Sequence, residues 1–195
     1  DFLTHDVAPA LVTHVHSNTG LKTPVAEICA LAATKGIVSI VDVAQSAGVV
    51  PIDLSQWQAD FVIGSCVKWL CGGPGAGYLW IAGHRLPSSE PTDVGWFSHE
   101  DPFEFDINSF RYAEDALRFW GGTPSVAPFV VATNDVEQLC DIGIDTIRLH
   151  NLRLTDRLIE QRSSEHVAKP LDHDSRGGTV VLRFPSDQLA VVRNQ

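Results

Sequence analysis

Ser65-Cys66-Val67-Lys68-Trp69-Leu70-Cys71-Gly72-Gly73-Pro74-Gly75-Ala76-Gly77 sets a lysine between an apolar strand pattern and a glycine-rich turn. Upstream, Ile37-Val38-Ser39-Ile40-Val41 is a continuous apolar run ending on Asp42, followed by Val43-Ala44-Gln45-Ser46. Such a run predicts a strand buried on both faces of a parallel sheet. Residues 60–64 read as the next strand, with Lys68 just beyond it, and residues 78–81 as another. Between residues 24 and 35, Val25, Ile28, Leu31 and Ala32 recur at helical spacing. Pro24 suits the first turn of that helix and Gly36 its C-cap. Residues 11–16 read as a strand that ends in the polar loop Ser17-Asn18-Thr19-Gly20. This alternation predicts an α/β fold with a mostly parallel sheet flanked by helices. Ligands of such sheets bind beyond the carboxyl ends of strands, where Asp42 and Ser65–Lys68 fall.

Residues 83–124 are aromatic and irregular, a pattern that points to a functional loop rather than disorder. Helices are expected from Ser125 to about Leu139 and from Ile142 to Gln161, and a strand over residues 178–184. A change of domain is expected between 140 and 160.

The 195 residues are 44% hydrophobic and carry a net charge of −10, which suits a soluble globular chain and opposes nucleic acid or anionic membrane as partner. No apolar run is long enough to cross a bilayer, and no signal-peptide pattern opens the chain. Cys29, Cys66, Cys71 and Cys140 form no Cys-x-x-Cys pair, and four reduced thiols in the cytoplasm are expected. His14 and His16 share no metal spacing with an acid and read as structural, so no metal is expected. The chain begins at Asp1, lacks methionine and enters a strand pattern directly, which points to a partial sequence.

Lys68 is flanked by Val67, Trp69 and Leu70, and burial among them would favour the free amine that imine formation requires. A carboxylate such as Asp42 can cap the turn that follows it or hold a positive ring nitrogen. Pyridoxal phosphate needs both groups: an amine for its aldehyde, and an acid for its pyridine nitrogen. In this order and spacing the residues resemble the core of the class V aminotransferase family, which includes the cysteine desulfurases and kynureninases. The resemblance runs from residue 10 to residue 184.

It implies the pyridoxal-phosphate-dependent fold type I. The large cofactor-binding domain would span 1–140, with its N-terminal portion lying outside this chain, and a small α+β C-terminal domain would begin in 141–195. It also implies an aldimine on Lys68, a pyridinium contact from Asp42 and a contact from Gln45 beside the phenolic oxygen. Ser65 would bind the phosphate, and Asn18 the cofactor's oxygen and the substrate. Gly95-Trp96-Phe97-Ser98-His99 and Arg118-Phe119-Trp120-Gly121-Gly122-Thr123-Pro124 resemble the kynureninases in particular. That likeness implies a substrate pocket lined by Trp96 and Phe97. It also implies a homodimer in which Thr123 reaches across to the neighbouring site. Arg176, in Ser175-Arg176-Gly177-Gly178, would fork onto the substrate α-carboxylate.

The implied function is aminotransferase-like chemistry on a small-molecule amino acid, with Lys68 as the base at Cα. Kynureninase-type C–C hydrolysis and desulfurase-type C–S cleavage stay open, because all three share that early step. Kynureninases carry Tyr before the lysine and usually His where Gln45 stands. Desulfurases carry His before the lysine and a later catalytic cysteine, whereas no cysteine lies between 72 and 139 here. A cofactor-free scaffold is the non-enzymatic alternative.

Overall fold

The structure, a computed structural model, describes residues 3–4, 7–161, 167–168 and 172–185. Four strands form one sheet in chain order: β1 (Pro9–Thr13), β2 (Val38–Asp42), β3 (Phe61–Ser65) and β4 (Gly77–Ile81). The β1–β2 and β2–β3 pairs are parallel, and β4 runs antiparallel to β3. The expected α/β class and mostly parallel sheet are therefore present. The order follows from the connections. Helix α1 (Val25–Thr34) and the short α2 (Leu54–Trp57) carry the two parallel crossovers, while the Lys68 turn alone joins β3 to β4. A turn of that length can return the chain only antiparallel.

The main core lies between α1, α2 and one face of the sheet. Val12, Val41 and Val62 point from successive strands toward Val25, Cys29 and Trp57. Gly36 closes α1 with φ of +67°, the left-handed conformation a C-cap glycine supplies. On the other side Val15, Val49 and Val50 pack with Trp69. Helix α3 (Val126–Ile142) lays Ala132 on Cys66 and Ala76, covering the glycine-rich turn. The two-face burial expected of the 37–41 run holds in part: Ser39 and Val41 are buried, while Val38 and Ile40 on the other face are half-buried.

Two other expectations are corrected, and the bounds of the rest are refined. The first strand ends at Thr13, since His14 turns away and Val15 bridges back to Lys22. Helix α4 (Ile144–Glu160) follows α3 after Gly143 alone, and the 83–124 stretch holds three short 3-10 turns within its irregular path. Residues 178–184 form no strand among the described residues: Leu182 bridges to Val167 and the Val181 carbonyl accepts from Ala168 N–H at 2.9 Å, which is a single bridge and not a ladder.

One buried acid ties the amino ends of the strands together. Asp60, 5% exposed, accepts from the Ser39 backbone N–H at 2.8 Å and the Ser39 hydroxyl at 3.1 Å. Arg85 Nε donates to its other oxygen at 2.6 Å, and His84 Nε2 lies 3.0 Å from that same atom. Burial pushes the Asp60 carboxyl upward, but the Arg85 and Ser39 hydrogen bonds outweigh it and hold the group below its ordinary value. Asp60→Ala strands the Ser39 donors in the interior and releases the partly exposed Arg85 and His84. A loss of about 3 kcal/mol in urea unfolding is expected, and a loss under about 0.5 kcal/mol would show the network to be dispensable.

Candidate active site

The carboxyl ends of β2 and β3 lie side by side. Asp42 is in register with Ile63, and the ladder extends one step further through Val43 N–H to the Ile63 carbonyl at 2.9 Å. Asp42 and the Ser65–Lys68 turn thus emerge at one sheet edge. The Asp42 carboxylate accepts from Ala44 N–H through Oδ1 at 2.8 Å, which satisfies the turn after β2 and leaves Oδ2 available. Capping and ligand binding are therefore compatible in this residue.

The lysine turn is closed by its own backbone. Cys66 N–H donates to Ala76 at 3.0 Å, Gly72 N–H to Cys66 at 2.8 Å, and Cys71 N–H to Lys68 at 3.0 Å. Lys68 sits on the outside of this ring and is exposed, with Val67 49% exposed beside it. The expected burial of Lys68 is corrected: Trp69 and Leu70 turn inward, and the lysine between them and Val67 points out. Among the described residues, the side chains of Asn18, Gln45, Ser65, Lys68 and Thr123 make no hydrogen bond to one another or to the backbone. One lysine amine, one half-engaged carboxylate and several open amide and hydroxyl groups fit a ligand with an aldehyde, a basic ring nitrogen and anionic oxygens. That donor set suits pyridoxal phosphate.

The remaining candidates sit on other segments of the chain. Thr123 is exposed and shares a 750 Å³ groove with Gly77, Tyr78, Phe119, Trp120 and Phe129, beside the outer edge of β4. Trp96 and Phe97 meet edge to face at 6.1 Å. Trp96 lines a second, 270 Å³ cavity with His99 and Phe110, whose walls include neither Asp42 nor Lys68. Arg176 is 1% exposed and donates to Asp156 of α4, so its guanidinium is not open to a substrate carboxylate in this conformation. His173 binds the same carboxylate at 2.8 Å.

Sequence reasoning missed one nearby side chain. Tyr78 lays its ring over Gly64 of β3, where a Cβ would meet the phenol carbon at 2.4 Å. Burial, with the charges of Cys66 and Asp42 adding to it, pushes that phenol up to about 12. His14 was read as structural, and its partner is Ser46: Nδ1 lies 2.8 Å from Ser46 Oγ, whose own proton goes to the Val43 carbonyl at 3.1 Å. His14 thereby pins the turn that carries Asp42 and Gln45. His16 Nε2 lies 3.1 Å from Thr23 Oγ1, a local contact within its own loop. All four cysteines are free thiols, and no group of metal ligands occurs among the described residues. No helix among the described residues is long and apolar enough to cross a membrane.

This strand-end arrangement is that of the pyridoxal-phosphate-dependent fold type I enzymes. The sequence pattern of aminotransferase class V matches residues 1–188, and the chain belongs to that family, whose cofactor is pyridoxal phosphate. It is 36% identical to a kynureninase of Deinococcus radiodurans over 97% of this chain and 48% of that protein. It is 34% identical to isopenicillin N epimerase of Streptomyces clavuligerus, over 89% of this chain and 45% of that protein. An apo cysteine desulfurase from Thermococcus onnurineus superimposes with a TM-score of 0.82 at 25% identity, over 95% of this chain and 47% of its own. The chain spans about half the length of the relatives it matches.

His14 makes the turn after β2 sensitive to acid. Burial, helped by the charge of Lys22, lowers His14 from 6.5 to about 4. The unfolded chain then takes up a proton that the folded chain refuses. Stability is complete above pH 6.5 and falls as the pH drops toward 4, by about 3 kcal/mol in total. His14→Gln should flatten that slope in denaturation curves taken between pH 7 and pH 4. An unchanged slope would assign the acid sensitivity to another group.

Proposed function

We propose that this chain carries the lysine-bearing part of an enzyme that acts on amino acids through pyridoxal phosphate. The observation behind it is the convergence of Asp42 and the Ser65–Lys68 turn at the carboxyl ends of two adjacent parallel strands. Residues 1–140 form the cofactor-binding domain in this proposal, and 141–195 begin the small domain. The cofactor, when bound, supplies an electron sink for charge developing at the substrate's Cα.

The chain's own residues set up that chemistry. Asp42 holds the ring nitrogen protonated through its open oxygen. Gln45 donates beside the phenolic oxygen, Asn18 approaches from the Ser17–Gly20 loop, and Ser65 meets the phosphate. Lys68 would hold the cofactor's aldehyde group, and its free amine would take the Cα proton. Exposure in the isolated chain leaves Lys68 to be desolvated by the rest of the protein. Thr123, on its open groove, completes the phosphate site of a second subunit in a cytoplasmic homodimer.

Hydrolysis of a C–C bond, as in the kynureninases, is the second reading. It is favoured by Trp96-Phe97 and by the likeness to the Deinococcus radiodurans protein. Trp96, 53% exposed, would then present its ring to an aromatic substrate across the subunit interface.

Borohydride reduction of the full-length, cofactor-loaded protein, followed by peptide mapping, is expected to place the label on Lys68. A label on another lysine would sink the proposal. Asp42→Asn keeps an oxygen for the Ala44 N–H but no charge for the ring nitrogen. Folding should be near normal while turnover falls by several orders of magnitude, roughly 3–6 kcal/mol in the barrier. A well-folded Asp42→Asn protein that keeps its activity would return Asp42 to a purely capping role.

For the assembly, Lys68→Ala and bulky Thr123 variants should each be inactive and regain partial activity when mixed, because one hybrid site holds both intact residues. A monomeric active protein in light scattering would exclude the shared site.

A further inference from the structure

A buried arginine on α4 lies behind two of the loops that carry candidate site residues. Arg148 is 9% exposed, and both terminal nitrogens of its guanidinium are engaged. Nη1 donates to the Gly177 carbonyl at 3.0 Å and to Asn151 Oδ1 at 3.4 Å. Nη2 donates to the carbonyls of His173 at 3.0 Å and Arg176 at 2.6 Å. One turn along the same helix face, Asn151 Nδ2 donates to the Gly178 carbonyl at 3.0 Å. Asp156, further along, binds Arg176 and His173. This strip of α4 captures the whole 173–178 turn.

The captured turn then seats two loops. Lys22 N–H donates to the Ser175 carbonyl and Gly177 N–H to the Gly20 carbonyl, both at 2.7 Å, and Leu21 bridges to Arg176. These bonds hold the end of the Ser17–Gly20 loop, which carries Asn18. The turn also lies against its neighbours so closely that side chains would not fit. A Cβ on Gly177 would stand 2.4 Å from Val15 Cγ1, and one on Gly178 would stand 2.9 Å from the Trp69 ring. Trp69 is the residue next to Lys68. The turn therefore contributes backbone to these contacts, meeting the Ser17–Gly20 loop through hydrogen bonds and the Lys68 segment through the Trp69 ring.

We propose that Arg148 is a positioning residue: by fixing the 173–178 turn it sets the placement of the Asn18 loop and of the Lys68–Trp69 segment together. The catalytic meaning of this placement rests on the function proposed above, whereas the mechanical coupling does not. A guanidinium suits the task because its planar fork reaches divergent carbonyls at once. A lysine ammonium keeps the charge but cannot span the same acceptors, so Arg148→Lys separates geometry from charge.

The test is hydrogen exchange on the full-length protein, comparing wild type, Arg148→Lys and Asp60→Asn. Asp60→Asn serves as a destabilised control at the opposite end of the strands. Arg148→Lys should speed exchange by roughly tenfold or more in peptides covering 17–22 and 66–72, with 39–42 and 60–64 still protected. Asp60→Asn should give the reverse pattern. In cofactor-loaded protein, Arg148→Lys should also shift the pH midpoint of the cofactor's visible absorbance, and Asp60→Asn should not. Unchanged exchange at 17–22 and 66–72 would overturn the proposal, as would uniform loosening across all four peptides or an unshifted midpoint.

If Arg148→Lys does not fold, Asn151→Ala removes the Gly178 contact alone and should loosen 66–72; unchanged exchange there would equally overturn the coupling. Should wild type show no cofactor absorbance and no borohydride label on Lys68, the proposed function falls. The exchange pattern still decides the role of Arg148.

Discussion

The hydrogen bond from Val43 N–H to the Ile63 carbonyl carries the β2–β3 ladder one residue past Asp42. Because of it, two chemically different loops leave the sheet from neighbouring points. One opens with a carboxylate and the other leads to a lysine. The parallel direction of the two strands is what brings both carboxyl ends to the same edge. An antiparallel pair would have sent Asp42 and Lys68 to opposite ends of the sheet. The return of β4 depends on the same edge, since the closed 66–77 turn both presents Lys68 and reverses the chain.

Support for this edge comes from several directions, and each uses a polar group buried with its partners. His14 and Ser46 hold the turn after β2 from the side of β1. Asp60 gathers the amino ends of β2 and β3 with the segment after β4. Arg148 and Asn151 fasten the 173–178 turn beneath the Ser17–Gly20 loop and Trp69. Hydrophobic burial sets the layers, but it does not direct loops. Hydrogen bonds to specific carbonyls do, because an unmade bond in the interior is costly.

The open groups on this framework divide into two sets. Asp42, Gln45, Ser65 and Lys68 cluster along the β2–β3 edge, and Asn18 stands on the loop after β1. Thr123 and the Trp96–Phe97 pair lie on the 83–124 stretch; Thr123 and Trp96 line cavities that include neither Asp42 nor Lys68, although Gly77 at the end of the Lys68 turn reaches the Thr123 groove. A shared site between subunits would give both sets a single ligand. The exposure of Phe103, Phe105 and Ile107 on that stretch, at 68%, 78% and 97%, fits a surface made to be covered.

Local pattern determined much of this protein. The apolar run ending in Asp42, the helical spacing after Pro24 and the glycine cluster after Lys68 specify strand, helix and turn through contacts between near neighbours in the chain. The family resemblance rests on those same short segments. Tertiary structure decided what depends on distant residues. It set Lys68 outward, because Trp69 and Leu70 found cores on either side of it. It buried Arg176 against Asp156 rather than leaving it open, because α4 lies alongside the 173–178 turn. It gave residues 178–184 one bridge, from Leu182 to Val167, in place of a ladder among the described residues, because a strand forms only where a partner backbone runs alongside. None of these outcomes has a local cause, so no spacing within a single segment could have announced them.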